Sequence, residues 1–166
     1  MTDMLRRVDR PRSPGIFRRA FAAFAATRPA LFFSRHVNWK LDLLLLRATR
    51  GRVAMTLIFP TAILETQGAQ TGARRRNAVM YWHDGDRVTI AASNGGSARN
   101  PGWYHNLIAS PDVTFGGRPL RAVVVPEHDH PRVWALGDRV FPAYGRFRRT
   151  AAAAGRTIPL VQLLPR

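Results

Sequence analysis

Two segments of this chain hold the residue types and spacings from which chemistry can be built. Gln67 to Arg76 contains two glycines, the Thr71 hydroxyl and three successive arginines, Arg74, Arg75 and Arg76. Backbone amides and forked guanidinium groups both offer donors to phosphate or carboxylate oxygens, so the loop can cradle an anion. In an extended chain alternate residues share a face, which puts Arg74 and Arg76 on one side and Arg75 on the other. The loop is not a P-loop, because the Gly-Lys-Ser/Thr ending is absent. The second segment, Ala91 to Val113, reads A-A-S-N-G-G-S-A-R-N-P-G-W-Y-H-N-L-I-A-S-P-D-V. It reads as a strand end, a Gly-Gly loop and a short helix, with Asn100 expected as the cap and Pro101 at the first helical position. Glycines leave the loop amides open to a planar or anionic ligand. His105, inside this helix, is expected to fix a loop through its ring N–H rather than to shuttle protons.

The composition narrows the chemistry further. The chain has no cysteine, which excludes thiolate nucleophiles, disulfides and cysteine-ligated metals or clusters. None of the five histidines forms a helix-spaced pair with a carboxylate, and His128-Asp129-His130 reads as a polar turn rather than a metal site; no metal is expected. No G-x-S-x-G elbow is present, which argues against a catalytic triad. The formal charge is +16, carried almost wholly by arginine, since Lys40 is the only lysine. Such a balance favours anionic ligands, an anionic membrane surface or nucleic acid, or else marks a solvated surface.

These segments need elements to hold them. At 166 residues the chain is long enough for one domain with a core. Residues 1–14 read as a disordered basic arm, and 15–55 as a helical extension. Within that extension, Ile16, Phe17, Phe21 and Phe24 share one face of a basic amphipathic helix, and a second helix runs over 37–50 with Leu41, Leu44 and Leu45 as its core face. From 56 to the end the pattern is that of strands: Thr61–Thr66, Asn77–His83, Arg87–Ala92, Asp112–Phe115, Arg118–Val125 and Ile158–Leu164. Asp84-Gly85-Asp86 and Gly116-Gly117 supply the hairpin turns. A helix over Pro101–Ser110 and a helical region over His130–Ala154, broken near Pro142, complete the order. The fold class is α+β: a six-stranded antiparallel small closed or split β-barrel with short flanking helices, since closure removes the exposed edges of such a sheet.

Taken together the two loops resemble one family. The deazaflavin-dependent nitroreductases are split-barrel oxidoreductases that use coenzyme F420, an 8-hydroxy-5-deazaflavin. They carry T-G-R-K-S-G-x-x-R before a strand, a D-G-D hairpin, A-S-N-G-G-x-x-x-x-P-x-W-Y-H-N-L, an aromatic Tyr/Phe-Pro-x-Tyr-x-x-Tyr/Phe helix and an I-P-V/L strand. The matching stretches here are Gly68–Arg75, Asp84–Asp86, Ala92–Leu107, Phe141–Phe147 and Ile158–Leu160, so the resemblance runs from about Leu57 to the C-terminus. It implies that Gln70, Thr71, Gly72, Arg74, Arg75 and Asn77, with Ala92, Ser93, Asn94, Gly95, Gly96, Arg99, Trp103 and Asn106, hold the coenzyme. It also implies that Phe141, Tyr144 and Phe147 line the substrate pocket. The reaction implied is hydride transfer to an electron-poor acceptor such as a quinone, enone or nitroaromatic compound. Tyr144 is the first candidate to donate a hydrogen bond or proton to the reduced acceptor, followed by Tyr81 and Ser93. Two departures from the family pattern are Ala69-Gln70, where Arg-Lys is usual, and Ala78, where proline is usual. Arg74, Arg76 and Arg99 are the cations left to compensate.

Other readings differ in coenzyme or in class. A flavin-mononucleotide split barrel is the nearest enzyme alternative, and the long central motif argues against it. A non-catalytic carrier, or a module for membrane or nucleic acid, is the alternative from another class. Nucleic acid is disfavoured because aromatic residues are not interleaved with the basic runs. The N-terminal basic helix is expected either to dock on an anionic membrane or to fold back on the domain. The expected location is cytoplasmic, with a peripheral position on the inner membrane face if the helix docks. A homodimer is compatible with the apolar strands.

Overall fold

A computed structural model describes residues 59–166. The basic arm, the two N-terminal helices and the expected domain start at 56 lie outside those residues. Within them the order is β1 (Thr61–Gln67), β2 (Arg74–Asp84), β3 (Arg87–Ala91), α1 (Gly102–Ala109), β4 (Asp112–Phe115), β5 (Arg118–Val124), α2 (His130–Val140), α3 (Tyr144–Ala153) and β6 (Leu160–Pro165). The strands pair antiparallel as β1-β2-β3-β6-β5-β4, and β4 closes on β1 with Leu64 opposite Phe115. The six-stranded antiparallel barrel expected from the sequence is present, flanked by three helices.

Alternation along the strands sorts side chains into two cores. Ala62, Leu64 and Thr66 of β1 are buried while Thr61, Ile63 and Glu65 between them are partly exposed. The inward set, with Tyr81, Ile90, Phe115, Leu120 and Leu163, packs with Trp103 and Leu107 of α1. On the outer face Trp82, Ala91 and Leu160 are covered by Val133, Trp134, Phe141, Tyr144 and Phe147 from α2, α3 and the link between them. Each fully buried side chain of this size contributes about 1.5–3 kcal/mol. Because both of its faces are covered, β6 buries four residues in a row, Leu160 to Leu163. Its sequence therefore lacks the alternation of a half-exposed strand, and the one polar residue in the run, Gln162, is buried through its bonds to Asp84 and Arg87.

Two local expectations are corrected. β2 begins at Arg74 rather than Asn77, because the charged residues at its start have cross-strand partners: Glu65 lies opposite Arg76, Thr66 opposite Arg75 and Gln67 opposite Arg74. The α1 helix begins at Gly102, with Pro101 in extended conformation at the cap position, and Asn100 does not cap it. The Asn100 carboxamide instead accepts from Arg156. The glycine turn between β4 and β5 is as expected: Gly116 and Gly117 have φ of 56° and 82°, the left-handed pair that matches the twist of a tight hairpin.

A polar network ties helix to barrel at the Asp84 turn. Arg132 of α2 donates to both Asp84 oxygens at 2.7 and 3.0 Å, Gln162 of β6 donates to Asp84 at 2.9 Å, and Arg87 of β3 donates to Gln162 at 3.2 Å. The Arg132 bonds hold the Asp84 carboxyl below the usual carboxylate range. With the folded-state value lowered, its stabilisation is present above the unfolded carboxylate range and is lost as pH falls through the lowered value.

Candidate functional site

The two loops singled out in the sequence are joined by one side chain. Asn106, on α1, donates from Nδ2 to Thr66 Oγ1 at 3.0 Å and accepts the Ala69 amide on Oδ1 at 3.1 Å. Thr66 is 3% exposed. Both ends of the Asn106 amide thus serve the chain, fastening α1 and the central segment to the β1–β2 loop. That loop is itself a closed turn: the Gly68 amide bonds Ala73 O and the Gly72 amide bonds Gly68 O, both at 2.8 Å. Gln70, Thr71 and Gly72 are exposed at its tip.

The three arginines divide as their alternation requires. Arg76 pairs with Glu65 at 2.9 Å and Arg74 reaches the same carboxylate at 3.6 Å. Arg75 lies opposite Thr66 in the register, and so on the face that leads into the barrel. Asn77, opposite Leu64, is on that face one pair deeper and is partly buried. Among the described residues no carboxylate pairs with Arg75, which is exposed. A guanidinium held at the rim without an anion of its own is a ready partner for one from outside.

The central loop is shaped by three successive left-handed residues. Asn94, Gly95 and Gly96 have φ of 47°, 63° and 80°. The Asn94 side chain donates to Arg99 O at 2.9 Å, closing the loop on itself. Gly96 lies against α3 so closely that a Cβ there would stand 2.8 Å from Phe147 O and 3.0 Å from the Thr150 Cβ. Arg156, just beyond α3, donates to Ala92 O at 3.1 Å and Ser93 O at 2.7 Å, and also to Asn100 Oδ1. Burial pushes its guanidinium down from the ordinary arginine range, although an arginine stays charged. Sequence reading missed Arg156. The available signal was Gly155, which ends α3 at φ 71° and fixes where the next residue starts.

Other expected site residues fall deeper. Ala92 is fully buried, and Trp103, 7% exposed, belongs to the barrel core. Ser93 and Arg99 retain exposure on the loop. Tyr81 points into the barrel at 3% exposure, its ring set edge-on to Phe115. Tyr144 is 2% exposed, with its ring centroid 5.2–5.5 Å from those of Trp82, Trp134 and Phe141, and 6.3 Å from Phe147. Burial first, and Asp138 second, raise its hydroxyl well above the ordinary tyrosine range, so it is neutral at physiological pH. His105 is exposed and its ring contact is with Tyr104. The loop-fixing expected of it is done by Asn106 and Arg156. A shallow cleft of about 500 Å³ over α2, lined by Trp134, Asp138 and Arg148 among others, shares no residue with either loop.

Comparison with known proteins places the chain in a family. The model of the family described as F420H(2)-dependent quinone reductase matches residues 40–165. An F420H(2)-dependent quinone reductase of Mycobacterium tuberculosis is 36% identical over 146 residues, covering 81% of this chain and 97% of that protein. A solved F420-H2 dependent reductase is 25% identical with a TM-score of 0.55, covering 63% of this chain and 93% of that one. A domain-swapped dimer that is 23% identical, with a TM-score of 0.57 over 75% of this chain and 93% of its own, shares the fold. With the family match spanning well over half its length, this chain belongs to the F420H(2)-dependent quinone reductase family.

Proposed function

We propose that this chain is an oxidoreductase that passes a hydride from reduced F420 to a quinone, with the coenzyme held where the two loops meet. The observation that carries the coenzyme reading is the division of the arginines. Arg74 and Arg76 are committed to Glu65, whereas Arg75 stands at the barrel rim beside the Thr66–Asn106 junction. F420 has a phosphodiester and a carboxylate tail, and a guanidinium with no carboxylate partner among the described residues, beside a turn exposed at Gln70 and Thr71, suits both. Arg75, with Gln70, Thr71 and Gly72 on one side and Arg99 on the other, is assigned to the anionic tail. Ser93, Asn94 and Gly95 are assigned to the ring system. Asn77 and Arg74 flank this site, while Ala92, Gly96, Trp103 and Asn106 shape it from behind.

Bound there, the reduced coenzyme supplies a hydride from ring carbon 5 to an electron-poor acceptor. The chain's own residues hold the geometry and handle the proton. Phe141 and Phe147 furnish an apolar wall, and Tyr144 between them keeps its proton because burial disfavours the phenolate. We assign Tyr144 as a hydrogen-bond donor toward the acceptor oxygen, with Ser93 as the second hydroxyl; Tyr81 faces the barrel interior, on the other side of β2 from Tyr144. The basic segment before residue 28 is proposed to bring the enzyme to an anionic membrane surface, where lipid-soluble quinones reside. Titrating purified protein with F420 and following coenzyme fluorescence tests the first claim, with saturable quenching at micromolar coenzyme expected. Oxidation of F420H2 by a soluble quinone, measured in the same preparation, tests the second. Absence of any saturable change would overturn the coenzyme assignment, and binding without quinone-dependent oxidation would overturn the reaction.

A further inference from the structure

The loop that carries Ser93 and the helix that carries Tyr144 are joined at two points. The first is steric: Gly96 lies directly on the α3 backbone at Phe147. The second is polar, and among the described residues it is made by Arg156. Its guanidinium donates to Ala92 O at 3.1 Å and Ser93 O at 2.7 Å, where the loop leaves β3, and to the side chain of Asn100, where the loop ends before α1. One planar fork thus brackets the whole segment from both sides. Arg156 is fixed in its turn, because its amide bonds Ala151 O at 2.9 Å and the Gly155 amide bonds Ala152 O at 2.9 Å, an α3 terminus of the glycine-capped kind. All three acceptors are neutral oxygens. Nothing in the bonding therefore needs a cation for charge balance; the requirement is for a rigid group with several donors aimed in one plane.

We infer that Arg156 is a positioning residue for coenzyme binding: it holds the Ser93–Arg99 loop in the shape that receives the ring and locks that loop to the helix bearing the acceptor-side residues. The inference rests on the coenzyme assignment made above. It accounts for two facts which that assignment leaves aside, namely why Asn100 gives up capping α1 and why the chain turns back toward the barrel immediately after α3. A lysine at this position would keep the charge but span only one of the acceptors, so charge and geometry are separable by substitution.

The test compares Arg156→Lys and Arg156→Met with the unaltered protein and with Arg132→Lys, which breaks a two-bond contact far from either loop. Hydrogen exchange without coenzyme is expected to speed up in the peptide spanning 92–100 in both Arg156 variants, while the β2 and β6 peptides keep their protection. F420 affinity is expected to fall roughly ten- to hundredfold in Arg156→Met, with Arg156→Lys close to it despite its retained charge, because small misplacements of a site carry losses of that order. The Michaelis constant for coenzyme should rise more than that for quinone. Arg132→Lys should leave the 92–100 exchange and coenzyme affinity as they were. Unchanged exchange at 92–100 would overturn the clamp, and so would an equal rise across β2 and β6, which would make Arg156 a general stabiliser. Wild-type-like coenzyme affinity in Arg156→Lys would overturn the geometric role. If the unaltered protein fails to bind F420, it is the coenzyme assignment that fails, and the exchange data still decide whether Arg156 orders the loop.

Discussion

Three neighbouring arginines of one type have two different fates, and the register of one strand pair decides which. Arg74 and Arg76 share Glu65, so their charge is largely met within the protein. Arg75 alternates to the Thr66 face and has no such partner among the described residues. Replacing Arg75 with alanine is expected to weaken F420 binding by about 1.5–3 kcal/mol, the range for a hydrogen bond to a charged group, and to flatten its salt dependence. Arg74→Ala should cost a fraction of that, and equal losses in a fluorescence titration would refute the division. Tyr144 poses the complementary case of a side chain that is buried but whose hydroxyl makes no hydrogen bond among the described residues. Removing it breaks no bond, so Tyr144→Phe should melt at or above the temperature of the parent. If the hydroxyl serves the acceptor, kcat with quinone should nevertheless fall by roughly tenfold or more, with coenzyme affinity preserved. An unaltered kcat would leave Tyr144 as a wall of the pocket. Alternation of the arginines was readable from the sequence, since it needs only the period of a strand. The Thr66–Asn106–Ala69 junction was not, because nothing local in either segment says that they meet.

At the scale of elements, the site is a loop pressed between a barrel end and a helix, and its glycines divide by what presses on them. Gly96 combines a left-handed φ of 80° with contact against the α3 backbone, so a side chain there meets both torsional strain and a clash with atoms that cannot rotate away. Gly96→Ala is expected to destabilise the protein by about 2–5 kcal/mol, from roughly 1–2 for the left-handed conformation and about 1–3 for overpacking. Thermal melting measures this directly, and a loss below half a unit would mean that the loop lifts off α3 without penalty. Glycine in this motif thus has a packing reason alongside any ligand reason, which the sequence alone did not separate. Strand positions followed their alternation closely along β1 and in the middle of β5, from Pro119 to Val123. They were least legible at the start of β2, where charged residues looked like loop because their partners lie on another strand. Asn100 was misread for a similar reason: an Asn-Pro pair is a good helix start by local rules, but a long-range guanidinium claimed the carboxamide.

The whole molecule is basic in an uneven way, and that unevenness bears on where it acts. Residues 59–166 hold fourteen arginines against seven carboxylates, whereas the much shorter stretch 1–58 holds twelve basic residues against three acidic ones. Charge per residue is therefore clearly higher in the N-terminal third, which also carries Ile16, Phe17, Phe21 and Phe24 among its arginines. Among the described residues no helix is long and apolar enough to cross a membrane. Surface attachment through the N-terminal stretch would combine burial of those apolar groups with about 1 kcal/mol for each basic residue near an anionic leaflet. The attraction acts within a Debye length of about 8 Å at physiological ionic strength, so it should fade as salt is raised while the apolar contribution persists. Full-length protein is accordingly expected to float with vesicles containing anionic phosphatidylglycerol and to stay behind with neutral phosphatidylcholine vesicles. Protein lacking Met1 to Thr27 should lose most of that flotation while still binding F420, since Arg75 and the Arg156-held loop lie within the barrel domain. Equal flotation of both forms would remove the N-terminal stretch as the attachment, and loss of coenzyme binding in the shortened form would place part of the coenzyme site in it.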